Sequence, residues 1–371
     1  MIYLDNAATT RMFEGAVGEY QKFACNLFYN PSAFYREGRE VKACLDQARK
    51  SLLKKLGATK GDIIFTSGAT ESNNLAIMGA KRNGSWEYIF SMGEHPSVYN
   101  VAKELEQQGC KVHYLPLLEN GQVDYSNLEK LINDKTRLVC VMHVSNETGV
   151  VNDIEKISEI IKTKSKALLH VDGVQAFNKI DFALDKLNVD SYTISAHKFH
   201  GPKGVGALYV KNKSNIKNIV FGGGQEENLR SGTENTSAIM AMKWANEHIN
   251  VRENFDKALL LKQTMTKILL QDDNIKIIDS ESPYIMSVSY KGVNGETLAR
   301  ILQDEGVLVS TGSACSTKKA GNRTLESMGL KKEDVVSSIR ISFNAYMSEA
   351  EIKDAGEIIL KCASKLSELK T

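Results

Sequence analysis

The stretch "RLVCVMHVSNETGVVNDIEKISEIIKTKSKALLHVDG" (137–173) decides how this chain folds. It opens on an apolar run, 137–144, in which hydrophobic residues follow one another without alternating with polar ones, and it closes on a second such run, 167–173. Between them, "DIEKISEIIKTKS" (153–165) spaces its apolar residues at the helical period. A strand that is apolar on both faces must be covered on both faces, as parallel strands joined by helical crossovers are. One strand–helix–strand unit of this kind predicts an α/β fold around a mostly parallel sheet.

The same rhythm continues on the N-terminal side, through "YIFSM" (88–92), a helix over 97–109, "KVHYLPL" (111–117) and a helix around 126–132. The pattern changes near residue 250. There "TSAIMAMKWANEHINVRENFDKALLLKQTMTKILL" (236–270) reads as one long helix able to bridge two domains. Beyond it, 284–292, 308–316 and 337–343 read as strands between helices. The expected division is a large domain over 15–250 and a smaller α/β domain built from 1–14 and 251–371.

Composition narrows the class. The chain has 371 residues, enough for two domains of about 100–200 residues each. Hydrophobic residues make up 42% and charged residues 25%, as in ordinary globular proteins. The formal charge of +2 is no basic footprint, so no direct nucleic-acid partner is expected. No apolar run approaches the roughly 18–20 residues of a membrane span. "MIYLDNAATT" carries neither the basic nor the apolar part of a secretory leader. Six scattered cysteines without a Cys-x-x-Cys pair speak against a disulfide framework or a metal site and fit a reducing, cytoplasmic setting.

Parallel sheets bind ligands at the carboxyl ends of their strands, and Asn146, Asp172 and Lys198 each follow an expected strand. Lys198, in "SAHKFHGPKG" (195–204), is either a solvated loop lysine or a Schiff-base amine activated by burial or positive neighbours. Asp172 is either a helix N-cap or the partner of a pyridinium nitrogen. "TSGATESNNLAIMGA" (66–80) runs from a strand through a Ser-Gly-Ala-Thr turn into a helix. It is either a helix capped by Ser67 or Thr70 or a phosphate cradle, because free N–H groups and the helix dipole favour a dianion. No P-loop or dinucleotide fingerprint is present. His95, in "SMGEHPS" (91–97), is a solvated loop residue or a ring that stacks on a flat ligand. Lysine, aspartate and cradle together point to pyridoxal 5'-phosphate. Cys315, in "STGSACST" (310–317), is then either a buried filler or a nucleophile.

With "YLDNAATT" (3–10), "NPSAFYREG" (30–38), "TSGATESNN" (66–74), "EHPSV" (94–98), "NETG" (146–149), "VDGVQAF" (171–177), "SAHKFHGPKGVGALYV" (195–210), "GGGQEENLRSGTEN" (222–235), "STGSACST" and "SSIRISF" (337–343), the chain resembles the cysteine desulfurases of the class V aminotransferase family of pyridoxal-phosphate enzymes over nearly its whole length. The resemblance implies the fold type I architecture of that class. It also implies roles. Lys198 would form the internal aldimine, Asp172 would hold the pyridine nitrogen, and His95 would stack on the ring and move protons. Gln175 would bond the ring hydroxyl, with Asn146 beside it near the substrate. Ala69, Thr70, Ser195 and His197 would bind the phosphate. Thr233 would reach the phosphate of the other subunit, implying a homodimer, and Arg340 would grip the carboxylate of L-cysteine. Cys315 would take up the substrate sulfur as a persulfide, leaving L-alanine, and pass it to an iron–sulfur scaffold or a tRNA-thiolation enzyme.

The chain departs from the resemblance at Tyr35, where a histidine is frequent, and in "SFNAYMSEAE" (342–351) after Arg340. It stops soon after "AGEIILKCASKLSELKT" (355–371), and "TKKAGNRTLESMGL" (317–330) is basic. Both features bear on the sulfur acceptor. The alternatives are a selenocysteine lyase or another class V enzyme, or a silent sulfur-carrier partner that keeps the fold.

Overall fold

In a computed structural model, residues 1–311 and 322–368 are described, and strands alternate with helices through most of them. Strand β1 (Ile2–Tyr3) precedes the central sheet. That sheet contains β2 (Asp62–Thr66), β3 (Glu87–Ser91), β4 (Lys111–Leu115), β5 (Thr136–Met142), β6 (Leu168–Asp172), β7 (Ser191–Ser195) and β8 (Gly206–Val210), in the order β2-β8-β7-β6-β5-β3-β4. From β7 to β4 every pairing is parallel, and β8 alone runs against its neighbours β7 and β2. Consequently β2, β3, β5, β6 and β7 all end at the same edge.

The unalternating strands are explained by two cores, one on each face. Val139 and Val141 of β5 enter one with Ile89 of β3, while Leu138 and Cys140 enter the other with Tyr88 and Phe90. The crossover helix Ile154–Lys164 begins at Asp153, whose carboxylate accepts from the Lys156 N–H, an N-cap of the usual kind.

A second sheet is antiparallel, with β9 (Ile275–Ile278), β10 (Ile285–Tyr290) and β12 (Ser338–Ser342) in the order β12-β10-β9. It packs around a separate apolar cluster that includes Met265, Met286, Ile341 and Ile359. Leu4 joins this cluster because β1 pairs in parallel with β11 (Val307–Leu308). The expected strand over 308–316 is therefore present as β11 and an isolated bridge at Ser310; positions 312–316 lie outside the described residues.

One expectation fails. Residues 236–270 form two helices, Thr236–Glu247 and Val251–Leu269. Asn250 ends the continuity: its side chain accepts from the Glu253 N–H and donates to the Glu253 carboxylate. This reciprocal cap starts a new helix.

Candidate active site

Five strand ends, the N-terminal segment and β12 enclose a cavity of about 450 Å³, the size of a cofactor site. β2 leads into Ser67–Thr70, β3 to His95, β5 to Asn146, β6 to Asp172 and Gln175, and β7 to Ser195, His197 and Lys198. Arg340 comes from the middle of β12. Ten of the twelve residues expected at the site line this one cavity: His95, Asn146, Asp172, Gln175, Ala69, Thr70, Ser195, His197, Lys198 and Arg340. Thr233 is exposed and lies outside its lining. Cys315 lies outside the described residues.

Lys198 follows β7 on a short 3-10 turn, and its Nζ donates to the carbonyls of Ala7 and Ala8, each at 2.7 Å. The side chain is thus directed inward at the N-terminal segment. Asp172 ends β6 without starting a helix. Its Oδ1 accepts from the Val174 N–H at 3.1 Å and its Oδ2 from Asn73 Nδ2 at 2.9 Å. Gln175 donates through Nε2 to the Ala7 carbonyl and accepts at Oε1 from Lys179. Burial, and then the charges of Lys198 and Arg340, push Lys179 down to about 7.

Helix Ala69–Ala80 is not capped by Ser67 or Thr70. Its N-cap is Gly68, at φ +152°, with no side-chain cap. A side chain there would be strained, and a Cβ would project to 4.0 Å from Ser195 Oγ, into the space before the helix N-terminus. The first-turn N–H groups have no acceptor within the helix, so glycine leaves an open cradle for an anion between Ala69, Thr70 and Ser195. His197 Nδ1 sits 3.2 Å from the Thr9 hydroxyl. Burial, reinforced by Lys198 and Lys203, lowers it to about 4. The donor set, the inward amine and the carboxylate on the neighbouring strand fit pyridoxal 5'-phosphate.

Arg340 is paired with carboxylates from two other segments. Its two terminal nitrogens reach Asp5 Oδ1 at 3.0 Å, the Asn146 carbonyl at 2.9 Å and Glu147 Oε1 at 3.4 Å. Its buried Nε has no hydrogen-bond partner among the described residues. Glu147 Oε2 in turn accepts from Asn322 Nδ2 at 2.9 Å, and Ser310 is bridged to Arg340 through both backbone bonds.

Asp5, Ala7, Ala8, Glu147, Asn73 and Lys179 carry no role that their residue types announce. Most still sit inside the motifs "YLDNAATT", "NETG" and "TSGATESNN", and Lys179 alone lies outside them. A carbonyl that receives a lysine, however, has no side-chain signature.

An inward lysine and a carboxylate on adjacent parallel strands, above a helix-borne anion cradle, define the pyridoxal-phosphate enzymes of fold type I. Residues 2–354 match the family described as Aminotransferase class-V, and the chain belongs to that family. It is 38% identical over 355 residues to the NifS/IcsS protein homolog of Lactobacillus delbrueckii subsp. bulgaricus, covering 93% of this chain and 92% of that one. With the cysteine desulfurase IscS of Clostridium botulinum it shares 35% over 381 residues, covering 99% and 96%. A solved structure described as a NifS-like protein superposes with a TM-score of 0.92 at 34% identity, covering 98% of this chain and 100% of that one.

Proposed function

We propose that the chain is a cysteine desulfurase, which uses pyridoxal 5'-phosphate to take sulfur from L-cysteine and releases L-alanine. The observation that carries this reading is the convergence of Lys198, Asp172, His95, Gln175 and the Gly68 cradle with Arg340 in one cavity. When bound, the cofactor supplies an electron sink that acidifies the substrate Cα–H and labilises its Cβ–S bond.

The chain's residues do the rest. Lys198 would hold the cofactor through its amine and is placed to carry a substrate proton. Asp172 would pair with the pyridine nitrogen and keep it protonated, Gln175 would bond the ring hydroxyl, and Ala69, Thr70, Ser195 and His197 would hold the phosphate. His95 would pack against the ring. Arg340 binds the substrate carboxylate, which replaces its contacts to Asp5 and Glu147, and Asn146 lies beside it. The Cys315 thiolate attacks the substrate sulfur: the S–S bond forms as Cβ–S breaks, and Cβ gains a proton to become the methyl of alanine. The persulfide then passes to an acceptor protein, an iron–sulfur scaffold or a tRNA-thiolation enzyme, in the cytoplasm. Two domains, 15–250 and 1–14 with 251–371, carry the cofactor side and the carboxylate side respectively, and a second copy supplies Thr233.

The test incubates purified protein with L-cysteine and assays alanine and protein persulfide. Wild type yields both. Cys315→Ser stays yellow and loses both, and Lys198→Ala loses the colour and activity together. Unchanged alanine release from Cys315→Ser removes Cys315 from the chemistry and favours a lyase that expels sulfur directly.

A further inference from the structure

Helix Ala69–Ala80 serves the cavity through its N-terminus, yet it also carries a fully buried asparagine that none of the roles above uses. Asn73 Nδ2 donates to Asp172 Oδ2 at 2.9 Å and to Ser97 Oγ at 2.9 Å, and its Oδ1 faces His170 Nε2 at 3.0 Å. His170, on β6, is itself fully buried, with Nδ1 2.8 Å from Ser191 Oγ of β7. Ser97 Oγ lies 2.8 Å from His95 Nδ1, which also accepts the Ser97 N–H at 3.1 Å. Each side-chain partner comes from an element other than Asn73's own.

The directions of these bonds are fixed by what each group can do. An aspartate carboxylate offers acceptors, so the amide must turn its NH2 to Asp172 and its carbonyl to His170. His170 Nε2 therefore donates, and its Nδ1 accepts the Ser191 hydroxyl proton. Burial keeps this ring neutral, lowered to about 3, as one proton per ring requires. Because Ser97 Oγ accepts from Asn73, its own proton goes to His95 Nδ1. That nitrogen also takes the Ser97 N–H, so the single proton of neutral His95 is on Nε2. The chain of donors runs Ser191, His170, Asn73, Ser97, His95, with a branch at Asp172.

We propose that Asn73, oriented by His170, is the positioning residue of this site: one amide fixes the Asp172 carboxylate and, by holding the Ser97 hydroxyl on His95 Nδ1, reinforces the backbone bond that sets the orientation of His95. The proposal rests on the functional reading above, in which Asp172 and His95 serve the ring. Without Asn73, Asp172 loses its side-chain donor and the Ser97 hydroxyl is free to rotate away from His95 Nδ1, which keeps only the Ser97 backbone N–H as its donor.

The test uses the cofactor-loaded enzyme and compares Asn73→Ala, Asn73→Asp, His170→Ala and His170→Gln, whose amide can still donate to Asn73. Expected for Asn73→Ala are a fall in kcat of about tenfold or more and a KM for L-cysteine within about twofold of wild type, because Arg340 is untouched. A limb of the pH–rate profile and the pH titration of the visible band should each shift by about one unit. Asn73→Asp should lose more, since it sets a second carboxylate against Asp172. His170→Ala should show the same signs in weaker form, and His170→Gln should restore them. A variant Asn73→Ala that melts earlier but keeps the wild-type pH profile and band titration overturns the proposal. If Asn73→Ala does not fold, the His170 pair decides it, and equal losses in His170→Ala and His170→Gln overturn it. A wild type that binds no pyridoxal 5'-phosphate overturns the functional reading and this proposal together. An active wild type with a silent Asn73→Ala overturns this proposal alone.

Discussion

Glu94, one position before His95, shows what burial without a matching cation does to a carboxylate. It is buried, and its Oε1 accepts from the Met142 N–H and the Ser91 hydroxyl, each at 2.7 Å. Its Oε2 has no hydrogen-bond partner among the described residues. Burial, with the Asp172 carboxylate adding to it, pushes the group up to about 8. Its effect on stability has a definite sign. Below the ordinary glutamate range both folded and unfolded chains hold the proton, and Glu94 costs nothing. As pH rises toward about 8, the unfolded chain sheds the proton while the folded one keeps it, so stability is lost. Lys179, pushed down to about 7, titrates in the opposite sense, which is why wild type must be compared with a variant. Glu94→Gln keeps an acceptor for Met142 and removes the titration. Between pH 5 and 8 it should lose about 1–3 kcal/mol less stability than wild type, measured by urea unfolding at several pH values. Parallel stability curves would assign the titration elsewhere. Nothing in "GEHPS" reveals this. Whether a glutamate is solvated or sealed depends on β5 and β6, which lie far along the chain.

At the scale of elements, the segment 222–235 is held in a conformation its residues do not favour. Glu226, Glu227 and Asn228 have φ of +47°, +55° and +65°, a left-handed run that side chains adopt at a cost. Two partly buried ion pairs hold it, beside a third between Lys213 and Glu227. The buried Glu226 carboxylate meets Arg49 through two bonds, at 2.7 and 2.8 Å, and accepts the Phe65 N–H at 2.9 Å. Arg230 donates to Glu71 in the first turn of helix Ala69–Ala80 at 2.7 Å. The segment carrying Thr233 is thereby tied beside the anion cradle. Arg49→Ala leaves a buried carboxylate unpaired and should destabilise by about 3–5 kcal/mol, and Glu226→Leu added to Arg49→Met should recover part of that loss. Thermal unfolding of the single and double variants checks it; a single-variant loss under about 1 kcal/mol would mean the carboxylate finds water instead. The sheet was legible in the sequence because apolar residues on both faces of a strand are a local pattern. The pairing of Arg49 with Glu226, separated by 177 positions, is not. The break before Asn250 was locally encoded, but the Asn-x-x-Glu cap is two residues set against a long apolar periodicity that favours continuing the helix.

For the whole molecule, the half of the cavity built from strand ends was readable because each of its residues lies at or just after a strand inside a short motif. The half around Arg340 was less so, because Arg340 meets Asp5 and Glu147 across 335 and 193 positions. Thr233 poses the remaining question. It shares a motif with residues tied to the cradle, yet it is exposed and does not line its own cavity. Phe221, just before that motif, is 81% exposed, and Phe28 and Phe34 are 64% and 95% exposed. A second copy that covers these aromatics and receives Thr233 into its own cavity accounts for both facts. The mass in solution should then be twice 41.1 kDa. Complementation gives the sharper test. Thr233→Ala and Lys198→Ala chains are each expected to be impaired as homodimers. In a mixed dimer, the Thr233→Ala chain keeps its lysine and borrows Thr233 from its partner, so one of two sites is intact. Random pairing makes half the dimers mixed, and co-expression should return about a quarter of wild-type alanine formation. If Thr233 serves its own chain, every site in the mixture lacks one residue or the other, and the activity stays at the average of the two variants.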